Sequence, residues 1–152
     1  MSGNAALLPF VDEHATVVSA PPQDVWPALL RAAESMTRGA AAARFARLVG
    51  CADSAASGPR PLAAGSAFPG FHVETATAPA ELALAGRHRF STYALIFHLD
   101  DLGDGRTRVR AETRAEFPGL KGRIYRALVI GTRMHVLVTN RIVGSVKRRA
   151  ER

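Results

Sequence analysis

Near the end of the chain, apolar positions recur at the helical period. Over residues 120–149, Leu120, Ile124, Leu128, Gly131, His135, Val138, Ile142 and Val146 follow one another at intervals of three and four. That spacing places them in one stripe of an α-helix. Ala127 and Met134 flank the stripe, and Arg123, Arg126, Arg133, Asn140, Arg141 and Arg148 gather opposite. No proline interrupts the pattern, so it predicts a single amphipathic helix about 45 Å long.

The chain before it reads mostly as strands. Residues 11–20 alternate, with Ala15 and Val17 on one face and His14, Thr16 and Val18 on the other. Pro21 and Pro22 end that strand and open a helix, where Val25, Leu29 and Ala33 form the inner stripe, widened by Trp26 and Leu30. A second short helix is predicted over residues 40–48, with Phe45 and Leu48 facing inward. Residues 52–65 are small, polar and broken by Gly58, Pro59, Pro61 and Gly65, and read as a loop with a short strand near Leu62. Strands follow at 71–77, 81–87, 88–101 and 107–117, and Pro118-Gly119 launches the last helix. A sheet followed by a long amphipathic helix predicts an α+β fold in which the sheet grips the helix. The face between them is either a solid core or a ligand pocket.

The last hairpin turns at Leu102-Gly103-Asp104-Gly105-Arg106, and two registers compete. A two-residue Asp104-Gly105 turn sets Ala111 opposite His98. A three-residue loop, type I with a bulge and a left-handed Gly105, sets Leu99 opposite Val109, Phe97 opposite Ala111, Leu95 opposite Thr113 and Tyr93 opposite Ala115. The second keeps the large apolar residues on one face and Arg108, Arg110, Glu112 and Arg114 together on the other, so it is preferred. Its inner face sets bulky residues beside the small Ala111, Thr113 and Ala115, which favours a cavity.

At 152 residues the chain fits a single domain over residues 11–150, preceded by a flexible segment 1–10. No apolar run is long enough to span a bilayer, the first residues lack the pattern of a secretory signal, and Cys51 is the single cysteine. Together these predict a cytoplasmic protein. The net charge of +7, from 20 basic and 13 acidic residues, comes mainly from scattered arginines. The one dense cluster, Lys147-Arg148-Arg149, suits a helix C-terminus, so nucleic acid is not an expected partner.

No phosphate-loop, dinucleotide, zinc-protease or nucleophile-elbow motif occurs, and the five histidines lack metal-ligand spacing, so no metal or cofactor is implied. Asp100, Asp101 and Asp104 suit the hairpin turn. His135, mid-stripe on the last helix, is either a buried or pocket-edge histidine or a general acid or base. Tyr93 and Tyr125 are possible polar handles in an apolar site. The candidate ligand wall comprises Trp26, Phe71, Val73, Tyr93, Leu95, Phe97, Leu128, Gly131 and His135. His135 and Tyr93 are the candidates for any proton chemistry.

The order of elements resembles the START-like superfamily, also called SRPBCC or helix-grip proteins. The likeness rests on VVSAPPQDVWPALL, where the first strand runs into a helix, on the hairpin ALIFHLDDLGDGRTRVRAET, and on FPGLKGRIYRALVIGTRMHVLV, which is similar to bacterial members of unassigned function. It covers about residues 10–150. It implies six to eight antiparallel strands, against five from pattern alone, wrapped around the last helix, with a hydrophobic cavity between. It also implies binding of a lipid, polyketide or similar small molecule, the alternative being a polyketide cyclase or dehydratase using the same cavity. The superfamily has no universal catalytic residue, so none is carried over.

Overall fold

A computed structural model describes residues 4–36, 40–129 and 134–151. A short 3-10 turn, Asn4–Leu7, leads into β1 (Phe10–Val18), α1 (Pro22–Ser35) and α2 (Ala40–Leu48). Then come β2 (Ala67–Phe68), β3 (Phe71–Thr77), β4 (Glu81–His88), β5 (Ser91–Gly103) and β6 (Arg106–Glu116), followed by α3 (Gly119–Val129) and α4 (Met134–Ala150). The strands form one antiparallel sheet in the order β1-β6-β5-β4-β3-β2. The sixth strand is the two-residue β2, just beyond the 52–65 loop. Leu62 is buried, but as part of that loop and not of a strand.

The core lies between the inner sheet face and two helices. On α1, Val25, Leu29 and Ala33 are all buried, as their spacing requires. On α4, Ile142, Val143 and Val146 are buried against Val18, Phe97 and Val109 of the sheet and against α1. Burying one such side chain contributes about 1.5–3 kcal/mol. Lys147 ties the helix down, its ammonium donating to the Val17 carbonyl at 2.8 Å and pairing with Glu151 at 3.0 Å.

Two inward assignments fail. The described helix comes in two segments, with residues 130–133 between them outside the described residues. Along α3, Leu120 and Ile124 belong to the expected inner stripe, yet both are exposed. The packed face of α3 is instead Gly122 and Tyr125: a Cβ on Gly122 would lie 2.7 Å from the Phe117 carbonyl carbon. Absence of a side chain lets the helix approach there and turns Leu120 and Ile124 outward. Phe45 and Leu48 of α2 are likewise exposed, while the small Ala46 takes its inner side and Val49, just past its end, is buried.

The β5–β6 register is the expected one: Leu99 pairs with Val109, Phe97 with Ala111, Leu95 with Thr113 and Tyr93 with Ala115. The turn that produces it differs. Gly103 pairs with Arg106 around two central residues, Asp104 and Gly105, with φ of 55° and 69°. Two positive φ values mark a two-residue type I′ turn. A bulge between Asp101 and Gly103 then shifts the register by one residue. The three-residue loop is therefore replaced by a tighter turn plus a bulge, with the same pairing beyond it.

The outer face carries a charge network. The Arg110 guanidinium bonds both Asp100 oxygens at 2.6 and 3.1 Å and reaches Glu13 at 3.3 Å. Glu112 accepts from the Arg114 guanidinium and bonds His98 Nε2 at 3.0 Å. Burial alone would raise the Glu112 pKa, but the His98 and Arg114 hydrogen bonds outweigh it and hold it below the usual carboxylate value. Asp100 is lowered as well, chiefly by its bonds from Arg110. The N-terminal turn covers part of this face, with Ala5 and Leu8 against Ala83, Ala94 and Ile96. A bulge between Val73 and Thr75 leaves Glu74 to accept the Asn4 and Ala5 amides at 2.6 and 2.9 Å.

Glu112→Gln is expected to lower stability by about 1–2 kcal/mol in urea denaturation, as a charge-assisted network loses its anion. In the native protein the folded pKa values of Glu112 and Asp100 lie below their unfolded ones, so the folded state binds fewer protons. Their contribution is therefore full above about pH 4.3 and is lost as pH falls through the lowered values. The variant should lose less stability over that acid limb, and an unchanged acid limb would remove Glu112 from the network.

Candidate functional site

Opposed residues of antiparallel strands point to the same face, so the register stacks the inner wall in rows. Leu82, Phe97, Ala111 and His14 form one row, and Leu84, Leu95, Thr113 and Asp12 the next. Gly86, Tyr93 and Ala115 follow. The first row is packed core in its middle, where Phe97 and Ala111 are fully buried among the helices. Away from it the wall changes character. Its side chains become small at Gly86 and Ala115, and polar along β1, where His14 Nε2 lies 3.3 Å from Asp12 Oδ2. The Thr113 hydroxyl is buried on this wall with no hydrogen-bond partner among the described residues.

At the small end stands a continuous run of rings. Phe68 meets Phe71 at 5.7 Å between centroids, and Phe71 meets Tyr93 edge-on at 5.3 Å. Tyr93 meets His88 at 5.4 Å, and His88 meets Tyr125 edge-on at 4.8 Å. Tyr125 in turn stacks on Phe90 at 5.4 Å. Tilted and edge-to-face contacts at these distances are the favourable ones. Gly86 makes the run possible: a Cβ there would lie 2.5 Å from Tyr93 Cε2 and 2.2 Å from the Gly70 carbonyl oxygen.

The polar atoms of this run are held uncharged. The Tyr93 hydroxyl donates to the Gly70 carbonyl and lies 3.8 Å from Cys51 Sγ. Burial, reinforced by Cys51, pushes its pKa far up, so it stays a neutral hydroxyl. Burial likewise raises the Tyr125 phenol. His88 has its pKa lowered by burial, which favours the neutral imidazole. The Phe90 amide donates to His88 Nδ1 at 3.1 Å, so Nδ1 is the acceptor and the proton of the neutral ring sits on Nε2.

Of the residues expected to form the wall, Phe71 and Tyr93 are in mutual contact. Leu95, Val73 and Phe97 lie beneath them in the packed core, and Trp26 packs half-buried against the same core from α1. Gly131 and the side chains of Leu128 and His135 lie outside the described residues. His88, Phe90, Asp12 and His14 join the site without having been anticipated. For two of these the signal was present in the alternation: His88 follows Leu82, Leu84 and Gly86 on β4, and His14 shares the inner face of β1 with Val18.

A cleft of about 320 Å3 opens beside the N-terminal turn, lined by Ala5, Leu8, Asp53, His72, Glu74, Arg87, Gly86, Tyr93 and neighbours. His72 Nδ1 bonds Asp53 Oδ2 there at 2.9 Å. Among the described residues, no group of His, Cys, Asp and Glu side chains is arranged to hold a metal ion. No described helix is long and apolar enough to cross a membrane.

Gly86→Ala is expected to displace the Tyr93 ring and lower stability by about 1–3 kcal/mol, read from thermal or urea unfolding. A smaller loss would mean that Tyr93 is free to move. Lowered in the folded state, the His88 pKa makes its contribution full above its unfolded value of about 6.5 and lost as pH falls below it. His88→Phe should flatten the melting temperature between about pH 7.5 and 5.5 relative to the native chain. An identical slope in the two proteins would show that His88 does not carry it.

No protein-family model matches the chain, and no curated protein matches it in sequence. Solved structures do resemble it. Truncated norcoclaurine synthase from Thalictrum flavum superposes with a TM-score of 0.56 at 10% identity, covering 93% of this chain and 94% of that one. Protein CV1439 from Chromobacterium violaceum gives 0.55 at 11% identity, with 95% and 99% covered. Protein Ms6760 from Mycobacterium smegmatis gives 0.54 at 9% identity, with 92% and 96% covered. Identities this low speak of shape alone. An antiparallel sheet curved around a C-terminal helix, matched along nearly its whole length by these structures, gives this chain the helix-grip fold.

Proposed function

We propose that the protein binds a hydrophobic small molecule, of the lipid or polyketide kind, on the inner sheet face beside the C-terminal helices. The observation that carries this reading is the run Phe71–Tyr93–His88–Tyr125 set next to the small residues Gly86 and Ala115. Rings supply flat apolar area at little entropic cost, and Gly86 lets the Tyr93 ring lie flat against the sheet. Neutral Tyr93 and His88 suit an uncharged ligand, while Thr113 and the Asp12–His14 pair offer polar groups at the other edge of the wall. Leu128, Gly131 and His135 are proposed to complete the wall from the helix side.

Binding is favoured over cyclase-type turnover by the state of Tyr93. Its hydroxyl is buried, already donates to a carbonyl and resists ionisation, which suits an orienting group better than a base.

Native mass spectrometry of the purified protein, followed by denaturing extraction, should release an apolar passenger. A panel of lipids and aromatic polyketides should contain compounds that raise the melting temperature. Phe71→Ala should weaken such a compound roughly tenfold, the loss of one ring contact. Failure to recover a passenger, together with a panel that leaves the melting temperature unchanged, would sink the proposal.

A further inference from the structure

We propose that α2, α3 and the β4–β5 turn together form a face that docks on the surface of an anionic membrane. Four large apolar side chains there face solvent: Phe45 is 56% exposed, Leu48 73%, Leu120 73% and Ile124 57%. Each belongs to a helix whose other side is packed. Phe45 and Leu48 stand away from the buried Ala46 of α2, and Leu120 and Ile124 stand away from Gly122 and Tyr125.

The two helices share one anchor. Arg89 donates its amide to the Val49 carbonyl at 3.0 Å, and Ala52 donates to the Arg87 carbonyl at 2.9 Å, fixing the end of α2 to the β4–β5 turn. The next residue, Phe90, stacks on Tyr125 of α3 at 5.4 Å. A Cβ on Gly122 would lie 3.0 Å from the Phe90 carbonyl oxygen, so α3 lies directly on the turn. Consecutive residues of one turn therefore hold both exposed apolar stripes at the same end of the molecule.

The charge on this face selects its partner. Arg44, Arg47, Arg87, Arg89, Lys121, Arg123 and Arg126 are all exposed, and none is in an ion pair among the described residues. Neither helix contains an acidic residue, and the nearest acid in sequence is Glu116, at the end of β6. Basic side chains flanking exposed leucine, isoleucine and phenylalanine match a bilayer interface, with phosphate headgroups above and acyl chains below. A nucleic-acid backbone would satisfy the cations and leave the four apolar side chains without a function. The face borders Tyr125 and His88 of the ring run, where the ligand is proposed to bind. Docking itself does not depend on that ligand.

The test is co-sedimentation of the full chain with vesicles of phosphatidylcholine alone and of phosphatidylcholine mixed with phosphatidylglycerol. Binding should be at least about tenfold tighter to the anionic vesicles and should weaken as salt is raised. Leu120→Ser with Ile124→Ser, and separately Arg123→Glu with Arg126→Glu, should each weaken it about tenfold with the melting curve unchanged, since all four residues are exposed. Phe45→Ser with Leu48→Ser should do the same from the other helix. Equal affinity for neutral and anionic vesicles, no binding to either, or an apolar pair without effect would overturn the proposal. So would tighter binding to a single-stranded oligonucleotide that the apolar pairs leave unaltered.

Discussion

The structure depends on one contact, the seating of α4 in the concave face of the sheet. Ile142, Val143 and Val146 meet Val18 and Val109 there, with Val25 and Leu29 of α1 closing the third side. Neither the helix nor the sheet could bury its apolar face alone, so each makes the other stable. The seat also fixes what the rest of the inner face can be. Where α4 and α1 press on it, the wall is filled by Phe97 and Leu82. Further along, the wall turns to Gly86, Ala115 and the aromatic run, and this is where a ligand is proposed to lie.

The β5–β6 hairpin decides which side chains reach that face. A one-residue slip would send Tyr93, Leu95 and Phe97 outward and bring Arg110, Glu112 and Arg114 into the core. Burying those charges without partners is prohibitively costly, so the alternation in sequence selects the register by itself. For that reason the pairing was legible even though the turn was not. Distinguishing a type I′ turn with a bulge from a longer loop needs the φ values of Asp104 and Gly105, and composition favours glycine and aspartate in both.

Other features escape a linear reading for a common reason. Periodicity identifies an apolar stripe but not what the stripe faces. Leu120 and Ile124 keep phase with Ile142 and Val146 if residues 120–149 are one straight helix, yet α3 packs through Gly122 and Tyr125. On α2 the small Ala46 takes the inner side from the larger Phe45 and Leu48, against the expectation that larger side chains go in. The ring run is also non-local. Phe71, His88, Tyr93 and Tyr125 come from three strands and a helix, joined by the sheet pairing and by the close approach of α3 at Gly122. His88 carried one local clue, its place in the Leu82, Leu84, Gly86 alternation.

Two zones of opposite electrostatic character therefore meet at one end of the molecule. Inside, burial keeps Tyr93, Tyr125 and His88 neutral, which removes any charge that an apolar ligand would have to desolvate. Outside, arginines on both helices and on the β4–β5 turn stand in water beside bare leucine, isoleucine and phenylalanine. The contrast is maintained over a short distance because Phe90 and Arg89 are consecutive, one facing the rings and the other the solvent. A hydrophobic interior without charge and a rim rich in cations are each common in proteins. Placed back to back on a single turn, they would draw the protein to an anionic bilayer by its cationic rim and set uncharged rings beside it, where the apolar ligand is proposed to lie.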